Sequence, residues 1–247
     1  MEWTIAKTNG VGVILTNRHG GVSKPPYHTF NLAYHVGDQP AVVHENRLLL
    51  AKSMGLELSH LCFMEQVHGT EVVEVVPGMN PPVCDAMITN HRQLALLVMT
   101  ADCVPILFYD PQNNAIGVAH AGWKGTVGQI AAKTLQKMNN SYGTKPEELH
   151  VYFGPAIHAC CYEIGETVSQ AVIRNFSSPE RYLLRQNHKT SFDLILCNKD
   201  ILIEHGVNPK NMVQNPACVS CHSSNYFSYR ATGGITGRQV TGLWLKG

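Results

Sequence analysis

The residue pattern predicts an α+β fold: one domain of mixed and antiparallel β-sheets flanked by helices. Three observations carry that expectation. Apolar strand-like runs crowd together between residues 71 and 120 instead of alternating regularly with helices. Helical periodicity appears in separate blocks on either side of them. No internal repeat, low-complexity tract or Pro/Ser-rich linker divides the 247 residues, so 1–247 reads as one unit, long enough to bury one sizeable core.

Taken in order, "HVGDQPAVVHENRLLLAKSMG" (35–55) reads as a helix, with Asp38 as N-cap, Pro40 in the first turn and Gly55 as the stop. Strands are expected around 71–76, 94–99, 104–109 and 115–120. "TVGQIAAKTLQKM" (126–138) follows as a helix, with Val127, Ile130, Ala131, Leu135 and Met138 on one face. "LHVYFG" (149–154) is a strand. "GETVSQAVIRNF" (165–176) and "DLILCNKDILIEHG" (193–206) are helices, the second ended by Gly206.

Composition narrows the function classes. The chain is 44% hydrophobic and 15% charged with a net charge of +1. No block of like charge offers a footprint for nucleic acid or an anionic membrane. The N-terminus lacks a basic stretch followed by an apolar one, so no signal peptide is expected. The longest apolar runs, such as "LALLVM" (94–99), fall far short of the roughly 18 residues of a membrane helix. The expectation is a soluble, cytoplasmic protein; its near-neutral surface leaves the oligomeric state open. Eight cysteines and thirteen histidines in such a chain point to reduced thiols, metal ligands or nucleophiles rather than a disulfide framework.

"MTADCVPILFYD" (99–110) places Asp102 and Cys103 at the mouth of an apolar strand. The turn residues Asp110 to Asn114 make a hairpin with "AIGVAHAGWKG". A loop of four or five residues sets Cys103 opposite residue 120 or 121, and residue 120 is histidine. Opposed side chains have Cβ atoms about 4.5–5.5 Å apart, which suits one metal about 2.3 Å from sulfur and about 2.0–2.1 Å from nitrogen. His68 in "EQVHGT" is the candidate third ligand. Two imidazoles and a thiolate leave a fourth position for water or substrate, and a metal there lowers the pKa of bound water toward about 7. The plain alternative is a buried free cysteine near two loop histidines.

Arg47 falls within the apolar arc of its helix, between Val43, Ala51 and Met54, with Glu45 and Lys52 opposite. A guanidinium there either meets an anion, phosphate suiting its bidentate donors, or snorkels to the surface.

"GGVSKPPYHTFNLAYHVGD", "ENR", "EQVHGT", "TADCVPILFYD", "AIGVAHAGWKGT", "GPAIHACCYEIG" and "FSYRATGGITGRQ" occur in that order through about residues 11–240. Together they resemble the laccase-domain family, first labelled multicopper polyphenol oxidases and later recognised as purine nucleoside phosphorylases. The resemblance implies a Zn2+ site at His68, Cys103 and His120, which would also be the catalytic residues, with Cu2+ as a possible substitute. It implies phosphate binding by Arg47 and places Asn31 and His28 near the site; Gln66, two residues before His68, shares its direction if that stretch is extended and is a substrate-binding candidate, and Tyr229 and Arg230 either border the pocket or are structural. Where the family often has a second Arg after Arg230, this chain has Ala231. The implied partners are purine nucleosides and phosphate: phosphorolysis of adenosine, inosine, guanosine and methylthioadenosine, and deamination of adenosine. Asp102 either orients a ligand or satisfies backbone amides.

Three rivals stand beside this reading. The first is a copper-dependent polyphenol oxidase, although the scattered histidines form no repeated His-x-His pairs. The second is a cysteine hydrolase or amidase acting on a peptidoglycan precursor, with Cys103 as nucleophile and His120 as base. The third is a zinc-stabilised binding module. "CVSCH" (218–222) fits the haem c attachment pattern without the export signal that accompanies it, and one C-x-x-C lacks the second pair of a structural zinc site. Cys160 and Cys161 read as core or pocket-wall thiols, and Cys62, Cys84 and Cys197 as small apolar fillers.

Overall fold

A computed structural model of the chain describes residues 4–7, 10–92 and 94–246. In chain order the elements are β1 (Thr4–Lys7), β2 (Val11–Leu15), α1 (Pro40–Met54), β3 (Leu61–Cys62), β4 (Val72–Glu74), β5 (Ala86–Thr89), β6 (Ala95–Thr100), β7 (Val104–Asp110) and β8 (Ala115–Ala121). They continue with α2 (Trp123–Val127), α3 (Ile130–Tyr142), β9 (His150–Phe153), α4 (Glu166–Asn175), β10 (Leu183–Gln186), β11 (Lys189–Phe192), α5 (Leu194–Glu204), β12 (Met212–Gln214), α6 (Tyr229–Thr232) and β13 (Gln239–Leu245). One sheet has the order β1-β2-β13-β6-β3 and the other β12-β9-β7-β8-β5-β4, both mixing parallel and antiparallel pairs; β10 and β11 form a separate hairpin. The α+β expectation holds.

The two sheets pack face to face because their strands are apolar on both sides. Leu96 and Val98 of β6 and Leu243 of β13 meet Leu107 of β7 and Ile116 and Val118 of β8 between the sheets. The alternate residues Leu97, Met99, Val240 and Trp244 face outward onto Leu50, Ala51 and Met54 of α1. On the far side Ile106, Phe108 and Ala119 pack on Ile130, Leu135 and Met138 of α3 and on α5. Side chains on a strand alternate between faces, so covering both faces requires the unbroken apolar runs seen in the sequence. Each large side chain buried this way contributes about 1.5–3 kcal/mol. Among the described residues no helix is long and apolar enough to cross a membrane.

Two helix starts differ from expectation. The N-cap of α1 is Gln39, not Asp38. The Asp38 carboxylate instead accepts from Ser23 Oγ at 2.7 Å and Asn31 Nδ2 at 3.0 Å on one oxygen and from Gln39 N at 2.8 Å on the other, so both oxygens are committed outside the helix's first turn. The helix expected from residue 126 is two helices, broken where Gln129 takes a left-handed φ of 61°. The stop at Gly55, with φ 72°, and the cap of α5 by Asp193, accepting from Leu196 N at 2.9 Å, follow ordinary capping chemistry.

Candidate metal centre and cavity

Three chain segments bring His68, Cys103 and His120 together. His120 ends β8, Cys103 sits immediately before β7, and His68 lies in the loop between β3 and β4. Their ligand atoms all lie within 4.8 Å of one another. The register that brings the pair together differs from the one expected. A four-residue loop joins Asp110 to Ala115, so His120 pairs with Pro105 and Cys103 falls two residues before it. Pro105 and Cys103 share a face by strand alternation, so the sulfur still reaches His120 from the diagonal position.

Gly122 makes room for this convergence. A Cβ there would stand 3.0 Å from Cys103 Sγ and 3.2 Å from His68 Cδ2. Two backbones at the site take left-handed φ values rare for side-chain-bearing residues: His68 at 59° and Asp102 at 111°. The strain at Asp102 is held by hydrogen bonds, its carboxylate accepting from Ser228 Oγ at 2.6 Å and Arg230 N at 2.7 Å. Asp102 therefore ties the Cys103 loop to the start of α6.

Asp85 organises the rest, and sequence reasoning missed it. Buried just before β5, it extends the Ala86–Ala119 pairing and so stands opposite His120. Its Oδ1 accepts from His120 Nδ1 at 2.8 Å and from His68 N at 3.0 Å, while Oδ2 accepts from Val67 N and Gly69 N. Burial alone would raise its pKa, but the bonds from His120 and these amides outweigh it and hold the carboxyl below its usual range. The signal was present in "CDAMIT", but residues 86–89 are all buried and carry no alternating pattern to mark a strand.

With no ion bound, the two imidazoles and the sulfur act on one another. Burial opposes ionisation of Cys103, but His120 and His68 lower its pKa to about 6. Burial likewise opposes protonation of His120, but the thiolate and Asp85 raise its pKa to about 9. The half-buried sulfur is thus a thiolate at neutral pH, the form that binds metal. One soft sulfur and two imidazoles suit Zn2+ or Cu2+, and the spacing fits bonds of about 2.0–2.3 Å to one ion.

The trio opens into a cavity of about 510 Å3, whose lining includes His35, Gln66, Met99, Tyr162, Arg230 and Arg238. That volume lies in the range of small-molecule sites. A larger surface depression of about 660 Å3 along α3 has no such donor cluster in its lining. Gln66 lines the cavity, but its amide is bound at both ends to the Met99 backbone, at 2.9 and 3.0 Å. Asn31 is fully buried and outside the lining; its amide holds Ala33, Asp38 and Arg238 N. His28 pairs with Arg18 and is likewise not part of the lining.

Arg47 stands behind Met99, not in the lining. Its Nε donates to Leu32 O at 3.0 Å, its Nη2 lies 3.8 Å from Met99 Sδ, and its guanidinium sits between the rings of Phe63 and Tyr34, 3.7 and 4.3 Å from their centroids. Burial lowers its pKa to about 10, and among the described residues no carboxylate forms an ion pair with it. Arg238 does line the cavity, with Nη1 bonded to Thr236 O and Gly237 O, both at 3.0 Å. His35 faces the same space. Burial first, then the charges of Arg238 and Arg47, lower its pKa and hold it neutral. Both residues lie inside the quoted motifs, but nothing in their spacing shows that they converge.

The family described as multi-copper polyphenol oxidoreductase laccase matches residues 12–246. A purine nucleoside phosphorylase of Deinococcus radiodurans is 38% identical over 231 residues, covering 92% of this chain and 87% of that relative. Adenosine deaminase RL5, from an unknown prokaryotic organism, is 30% identical over 249 residues, covering 96% and 95%. The crystal structure of YlmD from Geobacillus stearothermophilus superposes with a TM-score of 0.92 at 31% identity, over 97% of this chain and 93% of that one. The chain belongs to the multi-copper polyphenol oxidoreductase laccase family.

Proposed function

We propose that this chain is a zinc-dependent purine nucleoside phosphorylase acting on adenosine, inosine, guanosine and methylthioadenosine, and that it also deaminates adenosine. The observation that carries the reading is the His68–Cys103–His120 trio in a cavity that also holds Arg238, which forms no ion pair with a carboxylate among the described residues. Relatives named for both reactions support it.

A Zn2+ ion held by His68, Cys103 and His120, or Cu2+ in its place, supplies Lewis acidity at the cavity floor. The chain's own residues do the rest. Asp85 fixes the His120 tautomer with its proton on Nδ1 and leaves Nε2 free to ligate. Arg238 has two carbonyl bonds on Nη1 and directs its remaining donors to phosphate; Arg47 adds positive potential from behind Met99. Tyr162 and Tyr229 offer aromatic faces to a purine. Three mixed ligands favour a single ion over a multi-copper cluster.

Product analysis of the zinc-loaded protein with adenosine tests the reading. Adenine and ribose 1-phosphate, formed only when phosphate is present, are expected, together with inosine formed regardless of phosphate. If neither product appears while Cys103 of the metal-free protein is rapidly alkylated, a cysteine hydrolase is the better reading.

A further inference from the structure

We propose that Cys160, Cys161, Cys218 and Cys221 form a second metal site, a tetrathiolate that binds Zn2+ and clamps together two walls of the cavity. The isolated C-x-x-C pair of the sequence is completed by the fold. A parallel bridge between Ala156 and Cys218 lays the two segments side by side, and the adjacent cysteines supply the second pair. Of the two readings for Cys160 and Cys161, core or pocket wall, the second holds: both line a surface pocket, Cys160 and Cys221 are exposed, Cys161 is half-buried and Cys218 is buried.

The sulfur spacing suits one bound ion. All four sulfurs lie within 4.8 Å of one another. Cys161 and Cys221 are 3.3 Å apart, Cys160 and Cys221 3.6 Å, and Cys160 and Cys161 3.8 Å. A tetrahedral zinc with bonds of about 2.3 Å places its sulfurs about 3.8 Å apart. Inert filler cysteines have no reason to gather where two of the four, Cys160 and Cys221, are exposed and apolar burial gains little.

The surroundings fit a ligand set. Cys218 Sγ accepts the His158 amide at 3.4 Å. An N–H group donated to this sulfur favours its charged form. Buried Cys218 anchors the set while the exposed pair gives the ion access from solvent.

The clamp acts on the cavity through two residues. Tyr162 directly follows Cys161, and Arg230 Nη1 donates to Cys161 O at 3.1 Å; both line the cavity. The second site thus sets the position of that wall without touching the first trio.

Metal stoichiometry tests this whether or not the chain is a phosphorylase. A His68→Ala/Cys103→Ser variant removes the first site. Equilibrated with Zn2+, desalted and assayed by mass spectrometry, it is expected to keep one zinc per chain. Substituted with Co2+, it should show the intense charge-transfer absorption of several thiolates. Adding Cys221→Ser, or separately the exposed Cys160→Ser, should lower retention at least tenfold while circular dichroism stays unchanged. A His68→Ala/Cys103→Ser variant that is folded but holds no zinc, or peptide mapping that finds these cysteines joined as disulfides, overturns the proposal.

Discussion

Asp85→Asn isolates the group that holds the trio in place. The change keeps the side chain's shape and replaces one oxygen by NH2, so one of two faces must fail. If the nitrogen faces Val67 and Gly69, two amides that Asp85 now satisfies lose their acceptor and the His68 loop loosens. If it faces His120, it donates to Nδ1, drives the ring's proton to Nε2 and blocks the ligating atom; His68 N also loses its acceptor. An unsatisfied buried donor costs about 1–3 kcal/mol, but Val67 is exposed and water can replace part of the loss. We expect about 1–3 kcal/mol lower stability by urea unfolding of the metal-free protein. Zinc affinity, measured by competition with a chromophoric chelator, should fall about 10–100-fold, or roughly 1.4–2.8 kcal/mol. Zinc affinity within twofold of wild type, whatever the stability change, would refute the assignment and leave Asp85 a loop clip alone.

Gly122→Ala adds a methyl group against Cys103 and His68 at a backbone with φ −74°, where alanine has no conformational strain. Zinc affinity should drop at least tenfold, with unfolding changed by less than about 1 kcal/mol; the same chelator competition reads it. Arg238→Ala should reduce phosphorolysis much more than deamination, and equal loss of both in paired product assays would show that Arg238 does not act chiefly through phosphate. His35 has a folded pKa below its ordinary value of 6.5. Its contribution to stability is therefore complete above about pH 6.5 and is lost as pH falls through the folded pKa. His35→Gln should flatten that acid-side loss in urea titrations at pH 7 and pH 5.

Strands that are apolar throughout, such as β6 and β8, and helices with clear caps, such as α5, could be read from the sequence because their signals lie within a few residues. β5 and β13 could not: β5 is only four residues long and ends in Thr89, and Gln239, Thr241 and Gly242 break the apolar run of β13, so neither shows a clear run or a period. The same division runs through the site. Cys103 and His120 are paired by a hairpin between neighbouring strands that the sequence shows, although its register runs one or two residues off the expected one, because Asp110 belongs to β7 and pairs with Ala115. Asp85, His35 and Arg238 stand 35, 85 and 118 residues from His120, so only the closed fold could gather them.

The sequence alone determined the composition of the chemistry: a thiol at a strand mouth, histidines within reach, an arginine on an apolar helix face and a C-x-x-C. These are residue types and short spacings, and the chain carries them before it folds. The tertiary structure decided what each one meets. It bound Gln66 and Asn31 to backbone and neighbouring groups, set Arg47 behind Met99, and brought Cys160 and Cys161 up to the C-x-x-C. Hydrogen bonds and ligand sets act over a few ångströms, and distances that short between remote residues are fixed only when two sheets and their helices pack into one core.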